Sequence, residues 1–491
     1  GIGAGHYLKK NCPNKSFAIL ENRDSIGGTW DLFKYPGIRS DSDMFTLGYA
    51  FKPWISEKAI ADGPSILEYL NETVKENNLK ENINFNKKVV SAHWRSEDDL
   101  WKVVIKDNIS EEEKEVTCNF LFMCTGYYKY ENGYTPDFPG IENFNGQVIH
   151  PQHWPESLNY ENKKVIVIGS GATAATIVPE LSKKTKYVTM LQRSPTYFVS
   201  YPDIDLLANR LRKILPKSLA YTIIRLRNVF FQQWLYTICR KYPKFIKKRL
   251  LKAVKEVLPD ANIEKDFNPR YNPWEQRMCL IPDGDLYKAI RSGTADVVTG
   301  EISSFQETGI ELMSGEFLDA DVIVSATGLN LVVLGGAEFS VDGRAIDFSK
   351  TYSYKGMMFS DVPNLVYTLG YINASWTLRS ELVARYVCRL VNYLHEEEFT
   401  TAIPQLQTSA EDMEDYLLIN DFTPGYMKRA MHLFPRQGDR DPWRNTQNYL
   451  QDRKMVDKQE IDDGVLEFSK QGWVEFGSTK SSQNRADKDA A

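Results

Sequence analysis

Cysteine is scarce in this sequence, and its spacing excludes two common uses. The chain has 491 residues and six cysteines, at positions 12, 118, 124, 239, 279 and 388, with no C-x-x-C pair among them. Redox-active dithiols and structural zinc sites both need closely spaced cysteines. We therefore expect reduced thiols, a reducing compartment such as the cytoplasm, and no metal site.

Long apolar runs and an excess of positive charge are also missing. No uncharged apolar run of about 18 residues occurs and no signal peptide is recognisable, so neither membrane spanning nor secretion is expected. The net charge of -5 argues against a nucleic-acid binder. What the chain does have is aromatic content, with 26 Tyr, 24 Phe and 10 Trp, which suits the enclosure of apolar ligands. Its length allows two or three domains.

The most specific pattern is a glycine-rich turn in the middle of the chain. A continuous apolar strand at 164–168 runs into G-x-G-x-x-A at 169–174 and then into an apolar helix through Leu181. Glycine amides and a helix N-terminus in this context favour a dinucleotide pyrophosphate. The predicted contacts are Gly169, Gly171, Ala172, Thr173 and Ala174.

The strand that follows indicates which nicotinamide cofactor binds. Residues 187–191 end in Gln192-Arg193-Ser194 and not in a carboxylate. An acidic side chain would repel a 2′-phosphate, whereas an arginine pairs with it. The sequence therefore predicts NADPH, with Gln192, Arg193 and Ser194 at the adenosine end. The alternative is an ordinary surface arginine.

A second dinucleotide unit is expected at the beginning of the sequence. Residues 2–10 read as a helix and 16–20 as a strand, and Glu21 ends that strand 20 residues after Gly1. An acidic residue at this offset binds a ribose 2′-OH in dinucleotide folds. Gly1 is then the last glycine of a fingerprint whose strand and first two glycines are missing. The alternative for Glu21 is a surface carboxylate after a strand.

Other glycines and strand ends fit this unit. Gly27-Gly28-Thr29-Trp30 permits close backbone approach to a ligand. Two buried-looking strands end in Thr125-Gly126 and in Thr327-Gly328. Two nucleotide units in one chain suit flavin disulfide reductases and flavin monooxygenases. The reductases need a C-x-x-x-x-C pair near the first unit, which this sequence lacks, so a monooxygenase is favoured.

Residues 144–155 carry a motif that divides the monooxygenases. They read F-x-G-x-x-x-H-x-x-x-W-P, with Phe144, Gly146, His150 and Trp154. This stretch, I-G-G-T-W at 26–30 and Y-P-G-x-R-x-D at 35–41 resemble type I Baeyer–Villiger monooxygenases, the class B flavoprotein monooxygenases. The likeness runs nearly end to end with the branch that contains the thioamide-activating monooxygenase of mycobacteria. Monooxygenases that oxidise N or S atoms have a similar motif, but it ends in Tyr or Phe instead of Trp.

The resemblance implies a fold and a reaction. The fold is α/β with two Rossmann-like domains: an FAD domain at 1–145 and 329–476, an NADPH domain inserted at 146–328, and a tail at 477–491 expected to be disordered. The reaction is insertion of one oxygen of O2 beside a ketone carbonyl through a flavin C4a-peroxide, giving an ester or lactone. An apolar ketone is the expected substrate, and oxidation of a thioether or thioamide is compatible. The alternatives are N- or S-oxygenation and a non-catalytic redox sensor.

The resemblance also implies site residues. Arg277 matches the catalytic cation of the family, and Asp41 falls on an active-site Asp that would orient it. The structural alternatives are an Arg277–Glu275 pair and a surface Arg39–Asp41 pair. His150 couples movement of the NADPH domain to the flavin site and is not the acid or base. The FAD contacts expected are Gly1, Glu21, Gly28, Thr29, Trp30, Asp41, Val90, Thr125 and Gly126.

A basic segment at 206–255 stands apart from the nucleotide units. It contains 14 Lys or Arg and no Asp or Glu, interleaved with aromatic and aliphatic residues. The pattern predicts helices broken at Pro216 and Pro243, within a helical insert at about 204–260. A lid over the substrate site with a solvated basic face is one interpretation, and a peripheral membrane element that attracts anionic lipid is the other. The oligomeric state stays open.

Overall fold

The computed structural model describes residues 1–406, 412–420 and 422–470. The tail at 477–491 lies outside the described residues, as does the end of the segment predicted to run to residue 476. Among the described helices, none combines the length and the apolar content needed to cross a membrane.

The first 145 residues form helices beside short parallel and long antiparallel strands. The helices are α1 (Ile2–Asn11), α2 (Thr29–Leu32), α3 (Met44–Leu47) and α4 (Gly63–Glu76), and the strands are β1 (Ile19–Leu20), β2 (Ile83–Asn84), β3 (Lys87–Arg95), β4 (Leu100–Asp107), β5 (Glu113–Cys118), β6 (Leu121–Met123) and β7 (Tyr128–Gly133). β1 pairs in parallel with β2. β3, β4 and β5 form an antiparallel sheet that buries Trp94 and Trp101 on its inner face.

A five-stranded parallel sheet occupies the middle of the chain. Its elements and their neighbours are β8 (Gln147–Ile149), β9 (Lys164–Ile168), α5 (Ala172–Leu181), β10 (Tyr187–Gln192), β11 (Phe198–Tyr201), α6 (Leu206–Ile214), α7 (Lys217–Lys241), α8 (Pro243–Val257), α9 (Ile263–Asp266), β12 (Cys279–Pro282), α10 (Asp285–Arg291), β13 (Ala295–Thr299), β14 (Ile302–Gln306), β15 (Gly309–Leu312), β16 (Phe317–Asp319) and β17 (Val322–Ser325). The strand order is β13-β10-β9-β17-β8. β9 and β17 are buried almost throughout, which explains their unbroken apolar sequences.

The predicted basic helices are present, and proline sets their boundaries. α7 begins directly after Pro216, and Pro243 is the first residue of α8. Proline lacks a backbone N–H and is therefore favoured in the first turn of a helix and disfavoured further in, although α5 contains Pro179. The Asp205 side chain caps α6 by accepting from the backbone N–H of Ala208.

After residue 328 the chain returns to the sheets of the first 145 residues. The elements are β18 (Leu329–Leu331), β19 (Glu338–Val341), β20 (Arg344–Ala345), β21 (Ser353–Tyr354), β22 (Met358–Phe359), β23 (Leu365–Tyr367), α11 (Trp376–Glu396), β24 (Thr401–Pro404), β25 (Tyr416–Leu417), α12 (Gly425–Ala430), β26 (Arg436–Gln437), α13 (Tyr449–Lys458) and β27 (Leu466–Ser469). β18 pairs with β7, β19 with β3 and β23 with β6. These pairings favour domain boundaries at 145–146 and 328–329, between the predicted FAD and NADPH domains. We keep this division into domains as a proposal.

A buried ion pair fastens the basic helices to the rest of the molecule. Arg225 on α7 meets Glu381 on α11 at 2.5 Å, and their side chains are 9% and 6% exposed. The same guanidinium donates to the carbonyl oxygens of Phe45 and Gly48 at 2.8 and 2.6 Å. Because these carbonyls belong to the last turn of α3, one arginine joins three helices.

Candidate functional site

Arg277 and Asp41 form an ion pair between distant parts of the sequence. Arg277 Nη2 lies 2.5 Å from Asp41 Oδ2, and about a third of each side chain is exposed, 34% and 33%. Glu275 instead accepts from the backbone and side-chain nitrogens of Asn272, at 2.9 and 2.7 Å. The structural alternative of an Arg277–Glu275 pair is therefore wrong, and the two predicted catalytic residues are together.

A second ion pair runs beside the first. Arg39 Nη1 lies 2.5 Å from Asp285 Oδ2, at the first residue of α10. The alternative of a surface Arg39–Asp41 pair is therefore also wrong. Both charged residues of the Y-P-G-x-R-x-D segment instead reach residues that follow the basic helices.

Three tyrosines that sequence reasoning missed act electrostatically on the Arg277 guanidinium. The ring centroids of Tyr127 and Tyr128 are 4.7 Å apart. Burial opposes the charge of Arg277, but Asp41 and then the phenols of Tyr426, Tyr128 and Tyr127 raise the pKa of the guanidinium above its ordinary value. The position of Tyr127 and Tyr128 directly after Thr125-Gly126 was a usable signal, whereas nothing in the sequence marked Tyr426.

The loop that carries Arg277 is held from two sides. The rings of Trp274 and Tyr236, a residue of α7, are 5.7 Å apart at a steep angle. On the other side, the backbone N–H of Thr423 donates to the Glu275 carbonyl oxygen at 2.8 Å. The basic helices and the segment before α12 therefore both position the cation.

At the beginning of the chain the predicted helix at 2–10 is present as α1, whereas the strand predicted at 16–20 is confined to Ile19–Leu20. Gly1 precedes α1, and a Cβ built on it would lie 3.3 Å from Ile19 in β1. Glu21 follows β1 directly, and its Oε1 accepts from the backbone N–H of Arg23 at 3.0 Å. Gly1 and the strand leading to Glu21 are thus neighbours, as a ribose and pyrophosphate site requires.

The remaining residues expected at FAD lie on turns and irregular backbone. Gly28, with φ of +53°, precedes α2, in which Thr29 and Trp30 are the first two residues, and a Cβ on Gly28 would lie 3.1 Å from the Tyr130 hydroxyl. Val90 lies at a bulge where the β3–β4 register shifts between residues 89 and 91. A bulge interrupts the ladder and frees backbone groups for other partners.

A small cavity adjoins the Thr125-Gly126 turn. Gly126 has φ of +68°, and no atom lies within 4 Å of a Cβ built on it. The cavity is lined by Thr125, Gly126 and Thr368, among others. The buried Thr368 hydroxyl has no hydrogen-bond partner in the described part of the chain, so a polar group is needed there. Sequence reasoning missed Thr368, although it follows a strand as Thr125 does.

The two glycines of the second fingerprint have different tasks. A Cβ on Gly169 would lie 2.3 Å from the carbonyl oxygen of Ala326, so this glycine is required by packing. Gly171 caps α5, and a Cβ there would meet nothing within 4 Å, which leaves the helix N-terminus open to a phosphate. Ala172 and Thr173 are half-buried in the first turn, and Ala174 is buried in the core.

The end of β10 lies beside this turn. Arg193 and Ser194 are exposed, and the Ser194 carbonyl oxygen accepts from the Ser170 hydroxyl at 3.1 Å. Gln192 is buried, and its amide nitrogen donates to Asp266 O and Thr299 Oγ1, both at 2.8 Å. The Gln192 amide nitrogen is therefore engaged within the protein, whereas its buried Oε1 has no partner in the described residues. Arg193 is an exposed cation at this edge.

His150 joins the two connections between the predicted domains. Its Nε2 donates to the Gly328 carbonyl oxygen at 3.0 Å, and its Nδ1 accepts from the backbone N–H of Gln152 at 3.1 Å. Gly133 leaves room for the ring, since a Cβ there would lie 1.9 Å from the imidazole. Burial lowers the pKa of His150, which favours this neutral tautomer.

The other motif residues pack around this contact. Thr327 donates to the Tyr134 carbonyl oxygen at 2.6 Å, close to Gly328. Phe144 is buried in the core beneath the parallel sheet, and a Cβ on Gly146 would lie 2.4 Å from the Asp321 carbonyl oxygen. Trp154 packs edge-on against Tyr160 at 6.1 Å. The motif thus fixes the connection rather than lining the Arg277–Asp41 pair.

Metal-ligating side chains do not converge in the described residues. Across 1–406, 412–420 and 422–470, no group of three or more His, Cys, Asp or Glu could hold a metal ion.

Comparison with known sequences gives a consistent result. The family described as flavin-binding monooxygenase-like matches residues 59–237. The FAD-containing monooxygenase EthA of Mycobacterium tuberculosis is 49% identical over 472 residues, covering 96% of each chain. The probable FAD-binding monooxygenase AlmA of Acinetobacter baylyi is 50% identical over 471 residues, covering 96% of this chain and 94% of the relative. The predicted likeness to a mycobacterial branch of monooxygenases is confirmed.

Solved structures share the fold at lower identity. An oxidized steroid monooxygenase bound to NADP superposes with a TM-score of 0.78 at 20% identity, covering 96% of this chain and 98% of the other. OTEMO in complex with FAD and NADP gives a TM-score of 0.75 at 19% identity, covering 96% and 97%. The predicted fold class is confirmed.

Proposed function

The chain belongs to the family of FAD-containing monooxygenases that includes EthA, AlmA and MymA, and we propose that it inserts one oxygen atom of O2 beside the carbonyl of an apolar ketone. The product is an ester or a lactone. The observation that carries this proposal is the Arg277–Asp41 pair, which sets a permanent cation under the electrostatic influence of three phenols. Trp154 also favours carbonyl oxygenation. In monooxygenases that oxidise N or S atoms, a similar motif ends in Tyr or Phe at this position.

The proposed cofactors are FAD and NADPH. FAD would be held by the segment from Gly1 to Glu21, by Gly28 to Trp30, and by the cavity at Thr125, Gly126 and Thr368. NADPH would be held by the open N-terminus of α5 at Gly171, with Arg193 at its 2′-phosphate. When bound, the flavin would activate O2 for transfer to the substrate. The electrons for this activation would come from NADPH.

Arg277 would act on the charge that develops during oxygen transfer. Attack on a carbonyl carbon places negative charge on the carbonyl oxygen, and a fixed guanidinium stabilises that charge without giving up a proton. The pKa of Arg277 is raised, so the residue stays a cation at any pH the fold tolerates. Arg277 is therefore suited to electrostatic stabilisation and unsuited to proton transfer.

Asp41 would hold the guanidinium in place. A carboxylate at 2.5 Å removes much of the freedom of a long side chain, and its loop is fixed in turn by the Arg39–Asp285 pair. The two ion pairs join the same loop to segments on either side of β12. Movement of those segments would therefore move the catalytic cation relative to the first 145 residues, and His150 lies where such movement is transmitted.

The experiment that tests the proposed reaction is product analysis. The FAD-loaded enzyme is incubated with NADPH, O2 and an apolar ketone, and products are identified by mass spectrometry. Gain of one oxygen atom as an ester or lactone supports the proposal. Oxygen found only on the nitrogen or sulfur of an added amine or thioether favours the alternative, and slow NADPH oxidation without product favours a redox sensor.

A further inference from the structure

The basic helices expose large apolar side chains along one line. On α7 the exposed residues recur every three or four positions: Leu219, Ile223, Leu226, Phe230 and Trp234, at 48%, 41%, 40%, 55% and 55% of their maximum. This spacing places all five on one face of a helix. The line, which we call the outer stripe, runs for about 22 Å at 1.5 Å per residue.

The opposite face of α7 is fixed against the enzyme. Arg225 is buried against Glu381, and the Asn228 and Gln232 amides donate to the two carboxylate oxygens of Asp43 at 2.8 and 3.0 Å. The helix cannot roll to bury its outer stripe without breaking these contacts. The exposed aromatic residues are therefore a stable property of the surface.

Positive charge is concentrated on α6 and α8, the helices that contact α7, and at the start of α7 itself. Cations with exposed side chains lie on α6, at the start of α7 and on α8: Arg210, Lys213, Lys217, Lys244, Lys248 and Lys252. Further exposed apolar residues occur among them, with Leu206, Ile214 and Phe245 at 66%, 75% and 58%. The segment at 206–255 has 14 Lys or Arg and no carboxylate. The remainder of the chain has 46 Lys or Arg, which is 60 less these 14, against 65 Asp or Glu.

We propose that the outer stripe and the neighbouring cations dock on the surface of an anionic lipid bilayer. Aromatic and aliphatic side chains enter the boundary between headgroups and acyl chains, and long cationic side chains reach lipid phosphates from the adjoining helices. The acidic remainder of the chain faces away from the bilayer, because the same field repels it. Among the described helices none can span a membrane, so the contact is peripheral.

Charge decides between a bilayer and a second copy of this chain. A symmetric dimer through this face would bring together the exposed cations of two copies, with no carboxylate in either 206–255 segment. An anionic bilayer instead attracts these exposed cations, whereas Arg225 stays paired with Glu381 on the inner face. The surface therefore complements lipid phosphate better than it complements itself.

Docking in this orientation connects the bilayer to the proposed site. The inner face of α7 contacts Asp43, two residues from Asp41, and Tyr236 of α7 contacts Trp274 in the loop of Arg277. An apolar substrate dissolved in lipid would thus meet the enzyme beside the helix that positions both catalytic residues. This consequence rests on the proposed function, whereas the docking itself does not.

Vesicle binding of the full chain tests the proposal. Co-sedimentation is measured with vesicles of equal parts phosphatidylglycerol and phosphatidylcholine, and with phosphatidylcholine alone. We expect binding to the anionic vesicles only, weakened by added salt. The double variant Phe230→Ser/Trp234→Ser should bind at least about tenfold more weakly. Its matched control is Ile109→Ser/Met313→Ser, which removes side chains that are 78% and 72% exposed elsewhere.

A charge series separates attraction from burial of apolar surface. Lys244→Glu/Lys248→Glu should reduce binding to anionic vesicles, while Lys80→Glu/Lys350→Glu, exposed lysines outside the segment, should not. Circular dichroism and FAD content show whether each variant is folded.

Equal binding to both vesicle types, or unchanged binding of the Phe230/Trp234 variant, overturns the proposal. Absence of vesicle binding by the wild-type protein also overturns the proposal. If sedimentation then shows that Phe230→Ser/Trp234→Ser converts an oligomer into a monomer, the surface is a contact between copies of the chain. Product formation from a soluble ketone is measured separately, so failure of docking is distinct from failure of the reaction.

Discussion

The Arg277 guanidinium meets the Asp41 carboxylate at 2.5 Å, although one residue lies near the start of the sequence and the other beyond the basic helices. The neighbouring Arg39 meets Asp285 at the same distance. If Arg39 had instead paired with Asp41, the turn would have been neutral and would not have been tied to distant segments. The observed pairing instead makes the position of the proposed catalytic cation, Arg277, depend on how the polypeptide on either side of β12 is placed.

Replacement of Arg277 should separate NADPH consumption from product formation. The cation is required where negative charge develops in oxygen transfer, but not for hydride transfer from NADPH. We expect Arg277→Ala to keep NADPH oxidation within a few-fold and to lower ester formation about a hundred- to a thousandfold. Oxygen uptake and product are measured in parallel. Ester formation at the original rate would remove Arg277 from the proposed role.

Replacement of Asp41 should act through Arg277. We expect Asp41→Ala to lower ester formation less than Arg277→Ala does, because the cation remains but is no longer held. If the two residues act as a unit, the double variant should be no slower than Arg277→Ala alone. Asp319→Ala, which breaks an exposed ion pair with Lys164 away from this loop, is the matched control and should leave ester formation unchanged. Fully additive losses in the double variant would contradict the pairing.

Local pattern accounts for the features that the sequence predicted well. The apolar strand at 164–168 and the helix through Leu181 match β9 and α5 to the residue, because buried parallel strands and glycine turns have local signatures. The helix breaks at Pro216 and Pro243 follow from the missing proline N–H in the same way. Each of these depends on residues within a few positions of one another.

Partners that are distant in sequence could not be predicted in this way. The choice of Arg277 between Glu275 and Asp41 depends on how loops meet after folding, and Glu275 is engaged by Asn272 instead. Tyr426 reaches Arg277 through the packing of α12, and the Thr368 hydroxyl is left without a partner by the fold around it. The bulge at Val90 likewise arises from the pairing of two strands and not from either strand alone.

Arg193 should determine which nicotinamide cofactor is used. A charge-assisted contact to a 2′-phosphate is lost in Arg193→Ala, so we expect KM for NADPH to rise about ten- to a hundredfold, with KM for NADH nearly unchanged. Steady-state kinetics with both cofactors measure this. Arg291→Ala, at the exposed end of α10, is the control. Equal increases for NADPH and NADH would contradict recognition of the 2′-phosphate.

The Arg225–Glu381 pair should be costly to break and less costly to replace. Removal of one partner leaves a buried charge uncompensated, so we expect Arg225→Met to lower the free energy of unfolding by about 3–5 kcal/mol. The double variant Arg225→Met/Glu381→Leu should recover part of that loss. Urea unfolding followed by circular dichroism gives both values. A double variant less stable than Arg225→Met would show that the hydrogen bonds that Glu381 accepts from the Tyr7 hydroxyl and the Ala50 N–H outweigh the relief of its unpaired charge.

His150 should make the stability of the connection fall as the solution becomes acidic. Burial lowers the pKa of the folded-state imidazole below the value of about 6.5 expected for an unfolded chain. Between those two values the unfolded chain binds more protons, so stability rises with pH there and is lost as pH falls through the window. The structural reason is that a protonated Nδ1 can no longer accept from the Gln152 N–H.

The pH effect is isolated by comparing matched variants. Melting temperature is followed from about pH 7.5 to about pH 5.5, across the titration range of an unperturbed histidine. The wild-type protein should lose more stability over this range than His150→Gln, which has no titrating ring. His153→Gln, at the exposed histidine whose Nε2 donates to the Glu131 carbonyl oxygen, should behave like wild type. Identical pH profiles for wild type and His150→Gln would show that protonation of this ring does not govern the connection.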